Sequence, residues 1–253
     1  MRFVGVDLGW ISGASGLCCL DLEHNTLTLV ALDSKETIED VLQWIDDVAS
    51  EEKPAIVAVD APTLIPNEKG MRVPDRLAHR YFGKYHAGCY PANLGRPFAA
   101  RLLQFGESLE ERGFVHAPMI EPKQEGRYQI EVFPHPAIVQ LFNLSRILKY
   151  KKGRLAERRK GLKELRSHIL TQFPKQDPPL SIQSLPAIPA TGKALKRLED
   201  KLDSIICAYV AAHWWCWGSD RNQVLGSLQD GYIVVPCPPS APEPKSAFIS
   251  PSA

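Results

Sequence analysis

The sequence predicts an α/β protein built on a mixed sheet flanked by helices. Three observations carry this. Residues 2–33 hold three short apolar runs, "RFVGVD", "ASGLCCLDLE" and "TLTLVALD", the last two joined at His24-Asn25, which read as an antiparallel meander. A segment of helical period follows. After it comes "AIVAVDAP", a continuous apolar run of the kind buried on both faces of a sheet. A β-β-β-α-β order continued by α, β, α, α implies a parallel crossover into a central strand.

Each element has a local reason. The first strand runs apolar into Asp7, with Gly9 behind it to keep the backbone slim as the chain turns. "KETIEDVLQWIDDVAS" puts Ile38, Val41, Leu42, Ile45 and Val48 at helical spacing, and Lys53-Pro54 ends that helix. The fourth strand closes on Asp60. Residues 62–97 are rich in Gly, Pro, Arg and Tyr with weak periodicity, and read as an ordered, lid-like excursion with one short helix at 74–82. "PFAARLLQFGESLEERG" is a helix opened by Pro97 and closed by Gly113. "YQIEVFPHPA" is a strand containing Glu131 and stopped by Pro134 and Pro136. Helices are expected at 137–147 and 155–173, and the strongest at 193–217 after a Pro-rich link. "GYIVVP" is a last short strand. Residues 1–236 read as one domain, and the Pro/Ser-rich stretch 237–253 as a disordered tail.

Composition bounds the function. The chain has 253 residues, 44% hydrophobic and 23% charged, enough to bury a core without staples. Its net charge of +1 names no partner. Residues 149–166, however, carry nine Lys/Arg against two Glu, a face that could track a phosphate backbone or merely be solvated. The six cysteines form no CxxC pair, which argues against a disulfide framework or a zinc ribbon and suits a reducing compartment. No signal peptide is visible, and the longest uncharged apolar run, 204–218, is short of the ~20 residues of a membrane span. The expectation is a cytoplasmic protein without a membrane segment. Trp214, Trp215 and Trp217 would suit an interface as well as a core, so the oligomeric state stays open.

Four carboxylates stand where a packed core would not want them. Asp7 and Asp60 end strands one and four, and ligands of such sheets gather at the carboxyl ends of parallel strands. Glu131 sits inside "QIEVF". Asp203 precedes "SIICAYVAAHWW", which is apolar on every side and therefore buried. A buried carboxylate must be paired or must hold a cation. Magnesium takes hard oxygen ligands, and two divalent ions can supply both the hydroxide and the leaving-group stabilisation for phosphodiester hydrolysis. Asp7, Asp60, Glu131 and Asp203 are therefore the candidate catalytic and metal-binding set for Mg2+ or Mn2+. Each also has an ordinary reading: turn former or cap for Asp7 and Asp60, ion-pair partner of an arginine in 72–101 for Glu131, and a lysine or arginine partner for Asp203. Asp200, three residues earlier on the same face, competes with Asp203.

The segment 71–101 interleaves Arg72, Arg76, Arg80 and Arg96 with Tyr81, Phe82, Tyr85 and Tyr90, directly after Asp60. Cations can hold phosphates and aromatics can stack on bases, so these arginines are candidate contacts to a nucleic acid or phosphoester substrate; a packed lid with a solvated basic rim is the alternative. His135, between two prolines just past Glu131, is the candidate proton-transfer helper.

In order along the chain, "VGVDLGW", "AVDAP", "IEVFPHPA" and "LDSIICAYVAA" resemble the successive blocks of a family of uncharacterised proteins described as predicted nucleases of the RNase H-like fold. The resemblance spans about residues 2–236. It implies an RNase H-like fold with a five-stranded mixed sheet in the order 3-2-1-4-5. It also implies a metal-binding acid set, carried here by Asp7, Asp60 and Asp203 with Glu131 as a fourth member. Many members have an acid directly after the His-Pro of the fifth-strand block; this chain has Ala137, which leaves Glu131 as the sole carboxylate there. The expected activity is a metal-dependent nuclease or phosphodiesterase. The alternatives are an ATP-dependent phosphoryl transferase of the sugar-kinase or actin-like type, whose Gly-Gly adenosine motif this sequence lacks, and a non-catalytic nucleic-acid-binding protein.

Overall fold

The computed structural model describes residues 1–11 and 13–237, so the stretch expected to be a disordered tail lies, beyond Cys237, outside the described residues. The meander is β1 (Arg2–Asp7), β2 (Ser15–Glu23) and β3 (Thr26–Lys35), followed by α1 (Ile38–Val48) and β4 (Ala55–Val59). Then come α2 (Val73–Phe82), α3 (Ala99–Glu110), the two-residue β5 (Val115–His116), β6 (Arg127–Glu131), α4 (Pro134–Leu141) and α5 (Leu155–Gln172). The two-residue β7 (Leu180–Ser181), α6 (Gly192–Trp217), β8 (Asn222–Ser227) and β9 (Gly231–Pro236) complete the order.

The main sheet has the order β5-β6-β4-β1-β2-β3-β7. Its centre, β3-β2-β1-β4-β6, is the expected five-strand arrangement: β1 is antiparallel to β2 and parallel to β4, and β4 is parallel to β6. This strand order and polarity are those of the RNase H-like fold. The sheet has seven strands rather than five because β5 and β7 extend its two edges. Two residues cannot display a strand period, so neither was visible in the sequence. A separate antiparallel hairpin, β8-β9, adds a strand before "GYIVVP" and touches the main sheet through a Val132–Val234 bridge.

Both sheet faces are buried, as the continuous apolar strands require. Phe3, Cys18, Ile56 and Ile130 face α4, α5 and α6, whereas Val4, Val6, Cys19 and Val57 face α1 and α3. The Trp cluster serves the core: Trp214 and Trp215 are buried, with their indole N–H groups donating to the carbonyls of Ala117 and Gln124. A small third core, including Ala78, Phe82, Leu225 and Ile233, seats α2 on the β8-β9 hairpin. The 62–97 excursion is thereby anchored as an ordered wall. Among the described residues, no helix is long and apolar enough to cross a membrane.

Two helix boundaries differ from expectation. Pro134 and Pro136 do end β6, but α4 begins at Pro134 itself, since a first helical turn tolerates a missing N–H. The helix stops at Leu141, which leaves 142–154 as a connection that carries Tyr150 and Lys151 inward.

Two glycines decide how deeply α6 sits. A Cβ on Gly5 would collide with the carbonyl of Ser204, and one on Gly16 with the carbonyl of Asp200. The bare backbones of β1 and β2 let α6 lie directly against the sheet, with Asp200 and Asp203 above the end of β1. Gly5→Ala must push α6 away, and overpacking of this kind costs about 1–3 kcal/mol. A lowered thermal midpoint is expected; an unchanged one would show that α6 can yield without cost.

His213 is buried in the same helix, with Nδ1 2.7 Å from Asn222 Oδ1. Burial pushes its pKa down to about 4. The folded state therefore resists protonation. The stabilisation is complete above the unfolded value of 6.5 and is lost as pH falls from there toward about 4. The His213 ring resonances in NMR should titrate near the lower value, and a midpoint near 6.5 would contradict this packing.

Candidate active site: an acid cluster closed by a lysine

The acids converge at the carboxyl ends of β1 and β4. These strands are neighbours, and the Asp60 N–H donates to the Val6 carbonyl at 2.8 Å, setting Asp60 beside Asp7. Helix α6 adds Asp200 and Asp203 from above, one turn apart. Asp203 is fully buried: its Oδ1 accepts from the Tyr150 hydroxyl at 2.8 Å. Its Oδ2 has no hydrogen bond of good direction and is met instead by the Lys151 ammonium at 2.8 Å. The same ammonium lies 3.6 Å from Asp60 Oδ2. Asp200 is paired with Lys196 at 2.6 Å. Asp7 is 9% exposed, and its Oδ2 has no hydrogen-bond donor among the described residues.

The electrostatics follow from that crowding. Four carboxylates share the ammonium groups of Lys151 and Lys196, which leaves two negative charges uncompensated if every acid is ionised. Burial, reinforced by the neighbouring acids, holds Asp7 and Asp60 well above the usual carboxylate range, against the pull of Lys151. Burial also raises Asp200 to about 6.

Glu131, expected as a fourth ligand, is otherwise engaged. Both of its oxygens receive the Arg72 guanidinium, at 2.6 and 2.7 Å, and Arg72 also binds Asp75 at 2.9 Å and the Leu64 carbonyl at 2.9 Å. Asp75 in turn accepts the backbone N–H of Ala92 at 3.0 Å. Burial pushes Glu131 up to about 7, opposed by Arg72. Arg72 itself is raised by its two carboxylate partners, and the bidentate geometry is that of an ion pair. A carboxylate expected to hold metal and an arginine expected to hold substrate therefore bind each other, which is the ion-pair alternative for Glu131, because both are buried and of opposite charge.

A cleft of about 640 Å3 opens onto these groups, lined among others by Asp7, Asp60, Glu131, His135 and Lys151. Asp203 lies beneath its floor. His135 faces the Tyr150 ring at 5.5 Å, and its buried Nδ1 is unpartnered among the described residues. Arg76 and Arg80 lie on the solvent side of α2, outside the cleft lining, with Arg76 bound to the Met71 carbonyl and Arg80 over Tyr81. Arg96 stands over the ring of Tyr90, which does line the cleft.

A sequence model for a family described as a protein of unknown function, DUF429, matches residues 5–224, a span that contains all of these acids. The chain belongs to the DUF429 family. Two solved structures are similar at a low level. Thermus thermophilus RuvC is 11% identical with a TM-score of 0.38, over 83% of this chain and 96% of that one. A fowlpox virus resolvase, solved as a complex with substrate Holliday junction DNA, is 11% identical with a TM-score of 0.34, over 85% and 97%. No curated protein matches the chain.

In this DUF429 chain the donor chemistry fits a hard divalent cation. Asp7, Asp60 and Asp203 offer oxygens, one buried oxygen lacks a donor, and the cluster holds more carboxylates than ammonium groups. Among the described residues no three Asp, Glu, His or Cys side chains stand at ligand spacing about one point. The Lys151 ammonium sits between Asp60 and Asp203 instead. Lys151 and Tyr150 join the candidate site through Asp203, and the sequence pattern singles out neither. They stand near the start of the basic run 149–166, where an inward-facing lysine has no signal that distinguishes it from the eight other cations of the run.

Proposed function

We propose that the cleft hydrolyses phosphodiesters of a nucleic acid or smaller phosphoester, with Asp7, Asp60 and Asp203 holding a divalent Mg2+ or Mn2+ ion. The observation that carries this reading is Asp7 Oδ2, buried beside other carboxylates without a donor. An oxygen in that state requires a cation or a proton. Such an ion, when bound, supplies a Lewis acid for the phosphoryl oxygens and a water of lowered pKa.

The chain's own groups divide the remaining work. Tyr150 fixes the orientation of Asp203. The Arg72–Glu131–Asp75 cluster is a positioning element that ties the end of β6 to the start of α2 and to buried Ala92, two residues past Tyr90 of the cleft lining. Burial lowers His135 to about 4, so it lines the cleft as a neutral imidazole at pH 7, with an Nδ1 that no group among the described residues engages. Lys151 compensates the acids while no other cation is present. It stands on a connection rather than a helix, and its side chain is 27% exposed, so it can turn toward a phosphate in the cleft once displaced.

Purified protein with Mn2+ or Mg2+ should hydrolyse bis(p-nitrophenyl) phosphate and at least one substrate from a panel of RNA, DNA and hybrid. Absence of hydrolysis across that panel, together with no metal-dependent rise in thermal midpoint, would sink the proposal. Lys151→Met removes the resident competitor. It should lower the metal-free midpoint and tighten Mn2+ binding at least about tenfold, or about 1.4 kcal/mol, by calorimetry. Equal affinities in the two proteins would show that lysine and metal do not compete.

A further inference from the structure

We infer that Tyr90 and Arg96 form a nucleobase-stacking subsite, so that the cleft takes an unpaired nucleotide of a nucleic-acid strand rather than a duplex. This rests on the phosphodiesterase reading and adds its substrate class. Tyr90 is 58% exposed and is the one aromatic among the exposed large hydrophobic side chains of the described residues. It stands on the lining of the cleft that opens onto the acids.

The ring is mounted rigidly. It meets buried Phe98 edge-on, with centroids 6.2 Å apart, and Phe98 meets Trp10 in the same manner at 4.7 Å. The Trp10 indole N–H donates to the Asp60 carbonyl at 3.0 Å. A chain of three rings thus joins the exposed platform to the strand end that carries the acid. The Arg96 guanidinium lies 5.1 Å from the Tyr90 centroid, and its buried Nε has no hydrogen-bond partner among the described residues. With the guanidinium over the ring and the side chain still largely exposed, aromatic surface and cation stand together, the combination that binds bases of any identity in single strands.

Size and depth point the same way. About 640 Å3 encloses a drug-sized molecule, roughly one or two nucleotide units. Asp7 is nearly buried and Asp203 wholly so, so a phosphate reaches the acids only by entering the cleft. In a duplex the flanking base is paired and stacked, and its face is unavailable to Tyr90 unless it is extruded. The cleft is also lined by Lys193, Lys196 and Arg197 of the first turns of α6, where a neighbouring phosphate would lie; Lys196 is paired with Asp200 and Arg197 with Glu36.

The test is fluorescence anisotropy with a labelled single-stranded oligonucleotide of about eight nucleotides and the duplex of the same sequence, with Ca2+ replacing Mg2+. Tyr90→Ala should weaken single-strand binding about 5- to 150-fold, and Tyr90→Trp should retain it. The duplex should bind more weakly and be indifferent to position 90. Unchanged single-strand binding by Tyr90→Ala, or an equal loss for strand and duplex, overturns the inference. Hydrolysis of bis(p-nitrophenyl) phosphate separates the two readings. If wild type hydrolyses it while Tyr90→Ala binds strands normally, the stacking subsite falls and the hydrolase stands. If nothing is hydrolysed but strand binding still depends on Tyr90, the hydrolase falls and the subsite stands.

Discussion

Asp7→Asn should abolish metal-dependent hydrolysis while making the protein more stable. The two effects share a cause. Asp7 sits among Asp60, Asp200 and Asp203 with an oxygen that no donor satisfies, and burial holds its pKa well above the ordinary 3.8. A carboxyl whose folded pKa is raised favours folding in its protonated form. Its penalty appears as pH rises above the unfolded value and grows until the folded group also ionises. The amide has the size of the acid and no charge, so at pH 7–8 it removes that penalty and the thermal midpoint should rise. The same change removes a hard anionic ligand. Lewis-acid stabilisation is worth several kcal/mol of barrier, so the rate should fall about a thousandfold or more. Parallel rate and melting measurements check both halves. Retained activity would exclude Asp7 from the chemistry, and a lowered midpoint would mean that the cluster is already neutralised in the wild type.

Arg72→Met should be the most destabilising single change in the wall of the cleft. The guanidinium is 3% exposed and serves Glu131, Asp75 and the Leu64 carbonyl together. Removing it strands two buried carboxylates, and breaking a buried pair in this way costs about 3–5 kcal/mol. Glu131→Gln should cost less, because the amide oxygen still accepts one guanidinium N–H. The double variant Arg72→Met/Glu131→Gln should recover part of the loss, since it leaves one fewer buried charge unpaired. Denaturant melts of the three proteins give the coupling. If Arg72→Met and Glu131→Gln are each nearly neutral, the ion pair is not structural. Glu131→Gln also separates positioning from ligation: a ligand would lose Mn2+ affinity steeply, whereas a residue whose oxygens are both held by Arg72 would alter it only through the placement of β6.

Much of this arrangement was readable from local pattern. The meander, the buried fourth strand and the long last helix follow from period and composition, and they suffice to bring Asp7, Asp60 and Asp203 to one sheet end. Glu131 shows where such reading stops. Its position inside an apolar strand marks it as a charge needing a partner, and both the metal and an arginine from 72–101 satisfied that need. Choosing between them depends on the path of the 62–97 segment, which has little periodicity because it is held by side-chain bonds such as Arg72 to Asp75 and by packing on the β8-β9 hairpin. The same limit applies to Asp200. It and Asp203 share a helix face, and only the depth at which α6 sits shows that both reach the cluster.

The sequence by itself brought Asp7, Asp60 and Asp203 to one sheet end, because strand ends and an all-apolar helix are properties of short windows. Tertiary structure alone decided how their charge is met. Lys151 comes from a non-helical connection, Lys196 from the helix that carries Asp200, and Arg72 from the start of α2. Ion pairing depends on which side chains arrive at one buried point, and that is set by chain path and burial rather than by any neighbour in sequence. Gly5 and Gly16 show the same division: their identity is plain in the chain, but the helix backbone that needs them lies nearly two hundred residues away.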